Sequence, residues 1–274
     1  MRDRVEFCAR YMRILGVEGA PAGLAGLQDL VLRHLCRVPF ENISKLLLFA
    51  REGAGRPRTL AEFLDGIEHC DLGGTCHSNN PYLIDLLRHL GYDADLLGAD
   101  MTLPNVHTCL RVRIDGVAYH VDVGYGAPFR APLRLDRLPH TFREGGLRYV
   151  LDRNGDGDAC EMTVLAGQER RHGYIAHGPP RTAEFFTPAV RDSFAPGRTF
   201  VSGLRLVRIF ADHSVELWNR TLTVHSGPET RVTELRDRAG LKAAVDTELA
   251  MPRAPVERAV EILEQLTGKD FFAP

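Results

Sequence analysis

A cysteine in the stretch GGTCHSNN, residues 73–80, stands where a nucleophile could be placed. Cys76 follows two glycines and precedes an apolar helical pattern, so its thiol is predicted in a turn that leads toward a helix. A helix N-terminus and a nearby imidazolium both lower the pKa of a thiol and favour the reactive thiolate. Three interpretations of Cys76 follow from the residue and its setting: a nucleophile, a metal ligand or a buried apolar residue.

A predicted β-hairpin brings a histidine and an aspartate together. The segment NVHTCLRVRIDGVAYHVDVGYG alternates in polarity around Asp115 and Gly116, a typical two-residue hairpin turn. With that turn, His107 and Asp122 lie on one face as diagonal neighbours, about 7–8 Å apart at the backbone. An imidazole beside a carboxylate on rigid strands can act as a general base with an orienting partner.

The elements around these residues predict the fold class α+β. A helical period predicts four helices near the N-terminus, in VEFCARYMRILG, LAGLQDLVLRHLCRV, TLAEFLDGIEHC and PYLIDLLRHLG. After Asp93 the apolar period becomes two, which predicts antiparallel strands, and the proline-rich stretch 179–196 is predicted as a long connection. Strands in FVSGLRLVRIF and SVELWNRTLTVH and two helices complete the pattern.

The composition is typical of a globular protein that works in the cytoplasm. The 274 residues are 44% hydrophobic and 26% charged, and a net charge of -2 argues against a nucleic-acid partner. We find no signal-peptide pattern and no apolar run of membrane-spanning length. Six scattered cysteines then indicate reduced thiols. The oligomeric state stays open, with a homodimer among the options.

Several segments together resemble the arylamine N-acetyltransferases. They are VPFENIS (38–44), GGTC (73–76), VHTCLRV, HVDVGYG (120–126) and LWNRTLTV (217–224), and the order Cys, His, Asp also matches. The resemblance covers residues from about 5 to about 265. It implies a helical bundle over 1–92, an antiparallel β-barrel over 93–198, an α/β lid over 199–274 and a Cys-His-Asp triad like that of cysteine proteases.

The resemblance also implies a reaction. Acetyl-CoA would be the acyl donor, an arylamine or arylhydrazine the acceptor, and an acetyl-cysteine the intermediate of a ping-pong mechanism, with no metal. Cys76 would be the nucleophile, His107 its base or ion-pair partner, and Asp122 the group that fixes the imidazole. The residues implied to bind substrate are Phe40, Tyr125, Phe200, Gly124 and Gly126.

Two positions depart from the family pattern. Leu72 stands where the family has an arginine, and Ser78 where it has glutamate or glutamine. In the family that arginine pairs with the glutamate of PFEN, so Glu41 is predicted to lack its usual cation. A buried carboxylate must then recruit another donor or take up a proton. The candidate partners are Asn42, Ser44, Lys45, His69 and His77.

Alternatives to an acetyltransferase remain open at this point. A macrolactam-forming amide synthase would use the same triad. The pairs His69-Cys70 and Cys76-His77 allow a zinc-stabilised or catalytically silent binding protein, although their spacing is not that of a zinc knuckle. His120 is a rival base that we predict to be structural. We predict His77 to be peripheral, because successive side chains diverge.

Overall fold

The computed structural model describes residues 2–155 and 157–273, and the chain begins with helices. They are α1 (Arg2–Leu15), α2 (Gly23–Arg37), α3 (Ile43–Glu52), α4 (Leu60–Cys70) and α5 (Cys76–His89), with the short strand β1 (Phe40–Glu41) before α3. Four of these helices were predicted. Helix α3 was missed because three consecutive leucines and a buried Lys45 hide its helical period.

Helix α5 begins at Cys76 rather than at Pro81, where the sequence pattern placed its start. Thr75 is extended just before the helix, and its carbonyl oxygen accepts the N–H groups of Ser78 (2.9 Å) and Asn79 (3.0 Å). Pro81 therefore lies in the second turn, where it has no N–H to donate. The earlier start makes Cys76 the first residue of the helix.

Strands of the middle region form an antiparallel eight-stranded sheet that curves into a nearly closed barrel. The strands are β2 (Asp93–Asp100), β3 (His107–Ile114), β4 (Val117–Val121), β5 (Leu133–Arg134), β6 (His140–Glu144), β7 (Leu147–Arg153), β8 (Cys160–Ala166) and β9 (Glu169–Arg181). Their order in the sheet is β5-β4-β3-β2-β9-β8-β7-β6. Helix α5 packs on β2 and β3, which brings the cysteine to the barrel.

The predicted long connection is partly regular structure. Strand β9 continues to Arg181, a 3-10 turn covers Ala183–Phe186, and α6 (Thr187–Asp192) follows at once. Prolines did not prevent this, because Pro188 occupies the first turn of α6, where its missing N–H has no intrahelical partner to lose. The segment packs over α5 through Phe186, whose ring centroid lies 5.6 Å from that of His77.

The C-terminal region is a second antiparallel sheet with helices. Its remaining elements are α7 (Thr199–Ser202), β10 (Arg205–Ile209), β11 (His213–Trp218), β12 (Thr221–Ser226), β13 (Glu229–Glu234), α8 (Arg238–Thr247) and α9 (Val256–Thr267). The stretch SVELWNRTLTVH, predicted as one strand, is the hairpin β11–β12, because Asn219 with φ of 51° turns the chain. The sheet order β1-β10-β11-β12-β13 brings in the N-terminal strand β1.

Apolar packing joins these regions. One buried cluster combines α1, α2, α4 and α5 with barrel strands, a second joins α3 to the C-terminal sheet and helices, and a third fills the barrel. The three-part division at residues 92 and 198 stays a prediction. Across the described residues, no helix has the length and apolar character needed to span a bilayer.

Candidate active site

The hairpin of β3 and β4 has the predicted register. Ile114 pairs with Val117 and Leu110 with Val121, and both turn residues have positive φ, 50° at Asp115 and 77° at Gly116. This register carries the first residue of β3 alongside the residue after β4.

His107 and Asp122 meet at that end of the hairpin. Nε2 of His107 lies 2.8 Å from Oδ2 of Asp122, and both side chains are buried. Burial alone would lower the pKa of His107, but the attraction of Asp122 and of Cys76 raises it to about 10. The imidazole is therefore held as an imidazolium at neutral pH.

Cys76 lies at the same place, at the start of α5 and only 6% exposed. Burial raises the pKa of its thiol, but His77 and His107 attract the thiolate more strongly and hold that pKa well below its usual value. The structure thus brings Cys76, His107 and Asp122 together, with the pKa of the thiol lowered and the pKa of the imidazole raised.

Asn80 supports Asp122, a contact that the sequence motifs do not predict. Its Nδ2 donates to Oδ1 of Asp122 (3.0 Å) and to the carbonyl oxygen of Thr108 (2.5 Å), and its Oδ1 accepts the N–H of Val123 (3.0 Å). Asn80 stands four residues after Cys76 and hence on the same face of α5. The four-residue spacing would have indicated this contact if both residues had been assigned to the helix. The predicted helix start at Pro81 left both of them outside it.

Glycine is needed where the chain after β4 passes the nucleophile. A β-carbon at Gly124 would lie 2.6 Å from Cα of Cys76 and 2.6 Å from Nδ2 of Asn80. The N–H of Gly124 also donates to Oδ1 of Asp122 over 2.9 Å. Gly126 has φ of 76° and comes within 3.5 Å of the Phe40 ring, measured from the position of a β-carbon. The two glycines therefore border both the thiol and an aromatic group.

The three aromatic residues predicted to bind substrate fall into two places. Phe40 and Phe200 contact each other, with ring centroids 5.8 Å apart. The Tyr125 ring instead lies 5.3 Å from that of His107, and its hydroxyl is 2.5 Å from Nδ1 of His172. Gly126 lies next to both places, since it follows Tyr125 and a β-carbon there would lie 3.5 Å from the Phe40 ring.

His120, the alternative base, is a buried structural residue. His120 is buried with its Nε2 2.8 Å from the hydroxyl of Tyr174, and burial lowers its pKa to about 4. This hydrogen bond fits the structural role predicted for His120.

The prediction that His77 is peripheral is wrong. Nδ1 of its ring lies 3.4 Å from Sγ of Cys76.

Glu41 obtains its cation from an unexpected position. The carboxylate is fully buried, Oε2 accepts the N–H of Ser44 over 2.8 Å, and Oε1 has no hydrogen-bond partner among the described side chains. Burial raises the pKa of Glu41, and the attraction of Arg58 acts against that rise. Among the predicted partners, Ser44 does donate a hydrogen bond to Glu41. Arg58, whose charge acts on Glu41, was not predicted.

Arg58 also holds the turn before the nucleophile. Its Nη1 donates to the carbonyl oxygen of Gly73 over 2.6 Å, and its Nη2 donates to the carbonyl oxygen of Glu62. Leu72, at the position where the resemblance implies arginine, is buried in the apolar cluster of α3 and the C-terminal elements. The cation therefore approaches from the loop before α4.

The described residues show no metal centre, since no three His, Cys, Asp or Glu side chains among them form a group that could hold an ion. His69 is exposed, and its Nε2 lies 3.9 Å from Oε2 of Glu68. The reactive groups of the site are therefore the thiol of Cys76, the imidazole of His107 and the carboxylate of Asp122.

Comparison with known proteins agrees with this architecture. A sequence model of a protein family described as N-acetyltransferase matches residues 23–251. The arylamine N-acetyltransferase of Mycolicibacterium smegmatis is 28% identical over 235 residues, which cover 80% of this chain and 82% of the relative. That of Mycobacterium bovis is 31% identical over 81% of this chain and 79% of the relative. The structure of Mycobacterium marinum arylamine N-acetyltransferase in complex with CoA covers 94% of this chain and 99% of its own, with a TM-score of 0.79 and 23% identity.

The helical bundle, the antiparallel barrel and the matching family model define an enzyme of the N-acetyltransferase class. Within that class, the chain belongs to the arylamine N-acetyltransferase family.

Proposed function

We propose that this enzyme transfers the acetyl group of acetyl-CoA to an arylamine or arylhydrazine through an acetyl-Cys76 intermediate. The observation that carries the proposal is the buried contact of Cys76, His107 and Asp122, in which the thiol pKa is lowered and the imidazole pKa is raised. A thiolate that persists at neutral pH is the nucleophile that thioester exchange needs.

In the first half-reaction the sulfur of Cys76 attacks the carbonyl carbon of acetyl-CoA. A new C–S bond forms to Cys76, the C–S bond to coenzyme A breaks, and the departing thiolate takes the proton of His107. Asp122 holds the imidazole through its 2.8 Å hydrogen bond, so that the other ring nitrogen remains available to the sulfur atoms. The products are acetyl-Cys76, neutral His107 and free coenzyme A.

In the second half-reaction the acceptor amine attacks the acetyl-Cys76 carbonyl. The C–N bond forms, the C–S bond breaks with its electron pair moving to the sulfur, and the amine proton passes to His107. This restores the thiolate and the imidazolium, so each half-reaction returns what the other consumes.

Aromatic side chains near the thiol support an aromatic acceptor. We assign acceptor contact to Phe40, Phe200 and Tyr125, and passage of the pantetheine arm to the turn that contains Gly124 and Gly126. The CoA complex of the Mycobacterium marinum enzyme supports a coenzyme A thioester as the donor. The curated relatives from two mycobacteria are named for arylamines, which supports the acceptor class.

Intact-mass measurement tests the proposal. Incubation with acetyl-CoA should add one acetyl group, located at Cys76 by peptide mapping, and addition of an arylamine should remove it. Cys76→Ala should stay folded and show neither step. Asp122→Asn should be nearly inactive because the imidazole loses its orienting partner, whereas His120→Gln should keep most activity. Substantial transfer by Cys76→Ala, or an inactive His120→Gln beside an active His107→Gln, would refute the assignment.

A further inference from the structure

A second imidazole contacts the sulfur of Cys76. Nδ1 of His77 lies 3.4 Å from Sγ, within hydrogen-bond range for sulfur. The ring is half-buried and packs against Phe186, with centroids 5.6 Å apart. Its other nitrogen, Nε2, is buried and has no hydrogen-bond partner among the described residues. The ring is therefore packed by Phe186, and its only polar contact in the described part of the chain is the sulfur of Cys76.

The chemistry of a thiolate decides the direction of this hydrogen bond. A thiolate has no proton to give, so the contact requires that Nδ1 carries a hydrogen and donates it. Charged and titratable groups from several helices and strands face the sulfur. They are His77 on α5, His107 on β3 with Asp122 behind it, Lys45 on α3, and the buried thiol of Cys109. His77 is the member of this set that touches the sulfur without a carboxylate behind it.

We propose that His77 is a second catalytic residue, which donates a hydrogen bond to Sγ of Cys76 and stabilises the sulfur as a leaving group when acetyl-Cys76 is cleaved. This rests on the proposed function, because it assigns a role in the second half-reaction. The amine nitrogen bonds to the acetyl carbon, the electron pair of the C–S bond moves to Sγ, and His107 takes the amine proton. His77 keeps its own proton throughout and meets the growing negative charge on the sulfur.

The two half-reactions should respond differently to loss of this hydrogen bond. A thiol of lower pKa leaves more readily, but its thiolate attacks less strongly. His77 therefore favours deacetylation over acetylation, and its removal should slow the second step while leaving the first as fast or faster once Cys76 is fully ionised. A residue that only packs against Phe186 would not separate the two steps.

The first test measures ionisation without any acetyl transfer. Cys76 is alkylated with iodoacetamide across a pH series, and modification is read at the Cys76 peptide by mass spectrometry. His77→Phe keeps a ring against Phe186 but removes the donor, and should raise the apparent pKa of the thiol by about one unit or more. His77→Asn places an amide N–H near the Nδ1 position and should restore part of the shift. His89→Gln, an exposed histidine at the other end of α5, is the matched control and should match the wild type.

The second test follows acetyl-enzyme by intact mass in the presence of acetyl-CoA and an arylamine. His77→Phe should accumulate acetyl-Cys76, with deacetylation slowed about tenfold or more. Folded Phe and Asn variants whose alkylation profiles both coincide with that of the wild type would overturn the inference. A wild-type enzyme that never acetylates would overturn the proposed function instead. In that case a shifted alkylation profile would still support the His77 hydrogen bond, and an unshifted one would refute it.

Discussion

The guanidinium of Arg58 donates a hydrogen bond to the carbonyl oxygen of Gly73 over 2.6 Å, and it also attracts the buried carboxylate of Glu41. Gly73 is the first of the two glycines before Cys76, and a β-carbon there would lie 2.0 Å from the carbonyl oxygen of Pro39. Arg58 thus holds the nucleophile turn by a hydrogen bond and acts on Glu41 of the PFEN segment by its charge. It supplies from another loop the positive charge that is missing at Leu72.

Replacement of Arg58 by methionine should loosen this turn. The carbonyl oxygens of Gly73 and Glu62 lose their donor and Glu41 loses its cation, so we expect a loss of about 1–3 kcal/mol in the free energy of unfolding. Acetylation of Cys76 should slow as well. Denaturant unfolding and intact-mass kinetics measure the two effects. Arg51→Met, a change at an exposed arginine on α3, is the control and should alter neither. Wild-type stability and acetylation in Arg58→Met would contradict the role of this contact.

At Glu41 we expect Gln to be milder than Ala. The amide keeps the shape of the side chain and an acceptor for the N–H of Ser44, whereas Ala leaves a cavity and an unpaired donor. Thermal stability and the rate of Cys76 acetylation should both follow this order. Glu41→Gln combined with Arg58→Met should be non-additive by about 0.5–3 kcal/mol, because the two groups interact. Additive changes, or wild-type behaviour of Glu41→Ala, would show that the two residues are independent.

Asn80→Ala should impair catalysis through Asp122. The change removes the donor to Oδ1 of Asp122 and the acceptor for the N–H of Val123. The pKa of Asp122 is held below its usual value by His107 and Asn80 against the effect of burial, so it should rise in the variant. We expect a loss of about 1–3 kcal/mol, which corresponds to about 5–160-fold in acetyl-transfer rate.

Asn79→Ala is the matched control for that experiment. Its amide contacts are 3.3–3.4 Å long and do not reach Asp122. Transfer rates are measured for both variants at saturating acetyl-CoA. Equal losses in the two variants would mean that Asn80 acts on the helix as a whole and not on the carboxylate.

Lys45 should make stability depend on pH with a defined sign. It is buried beside Phe194, 4.1 Å from the ring centroid, and burial lowers its pKa from 10.5 to about 8. Between these two values the unfolded chain binds a proton that the folded protein has released, so the free energy of unfolding rises with pH across this window. Below about pH 8 the buried charge costs on the order of 3 kcal/mol.

Lys45→Met removes that cost. Denaturant unfolding at pH 7 should find the variant more stable than the wild type by about 1–3 kcal/mol, and the difference should shrink toward pH 10. A difference that stays constant between these pH values would show that Lys45 is not the titrating group.

Local signals in the sequence were sufficient for much of this protein. The helical period predicted α1, α2, α4, α8 and α9 because each buries one apolar face. The Asp115-Gly116 turn determined the register of β3 and β4, since a two-residue turn leaves only one pairing for the strands that it joins. That register alone predicts His107 beside Asp122.

Contacts between distant segments were decided only by the tertiary structure. Helix α5 starts at Cys76 and packs on β2 and β3, and in this arrangement His77 contacts the sulfur and Asn80 contacts Asp122. Arg58 contacts Gly73 from another loop and attracts the carboxylate of Glu41 from there. The sequence shows that Leu72 stands where the family has an arginine. It does not show which other residue supplies the positive charge, because a long arginine side chain can do so from many positions in the chain. Spatial proximity between segments far apart in sequence leaves no local period or turn signal from which it could be predicted.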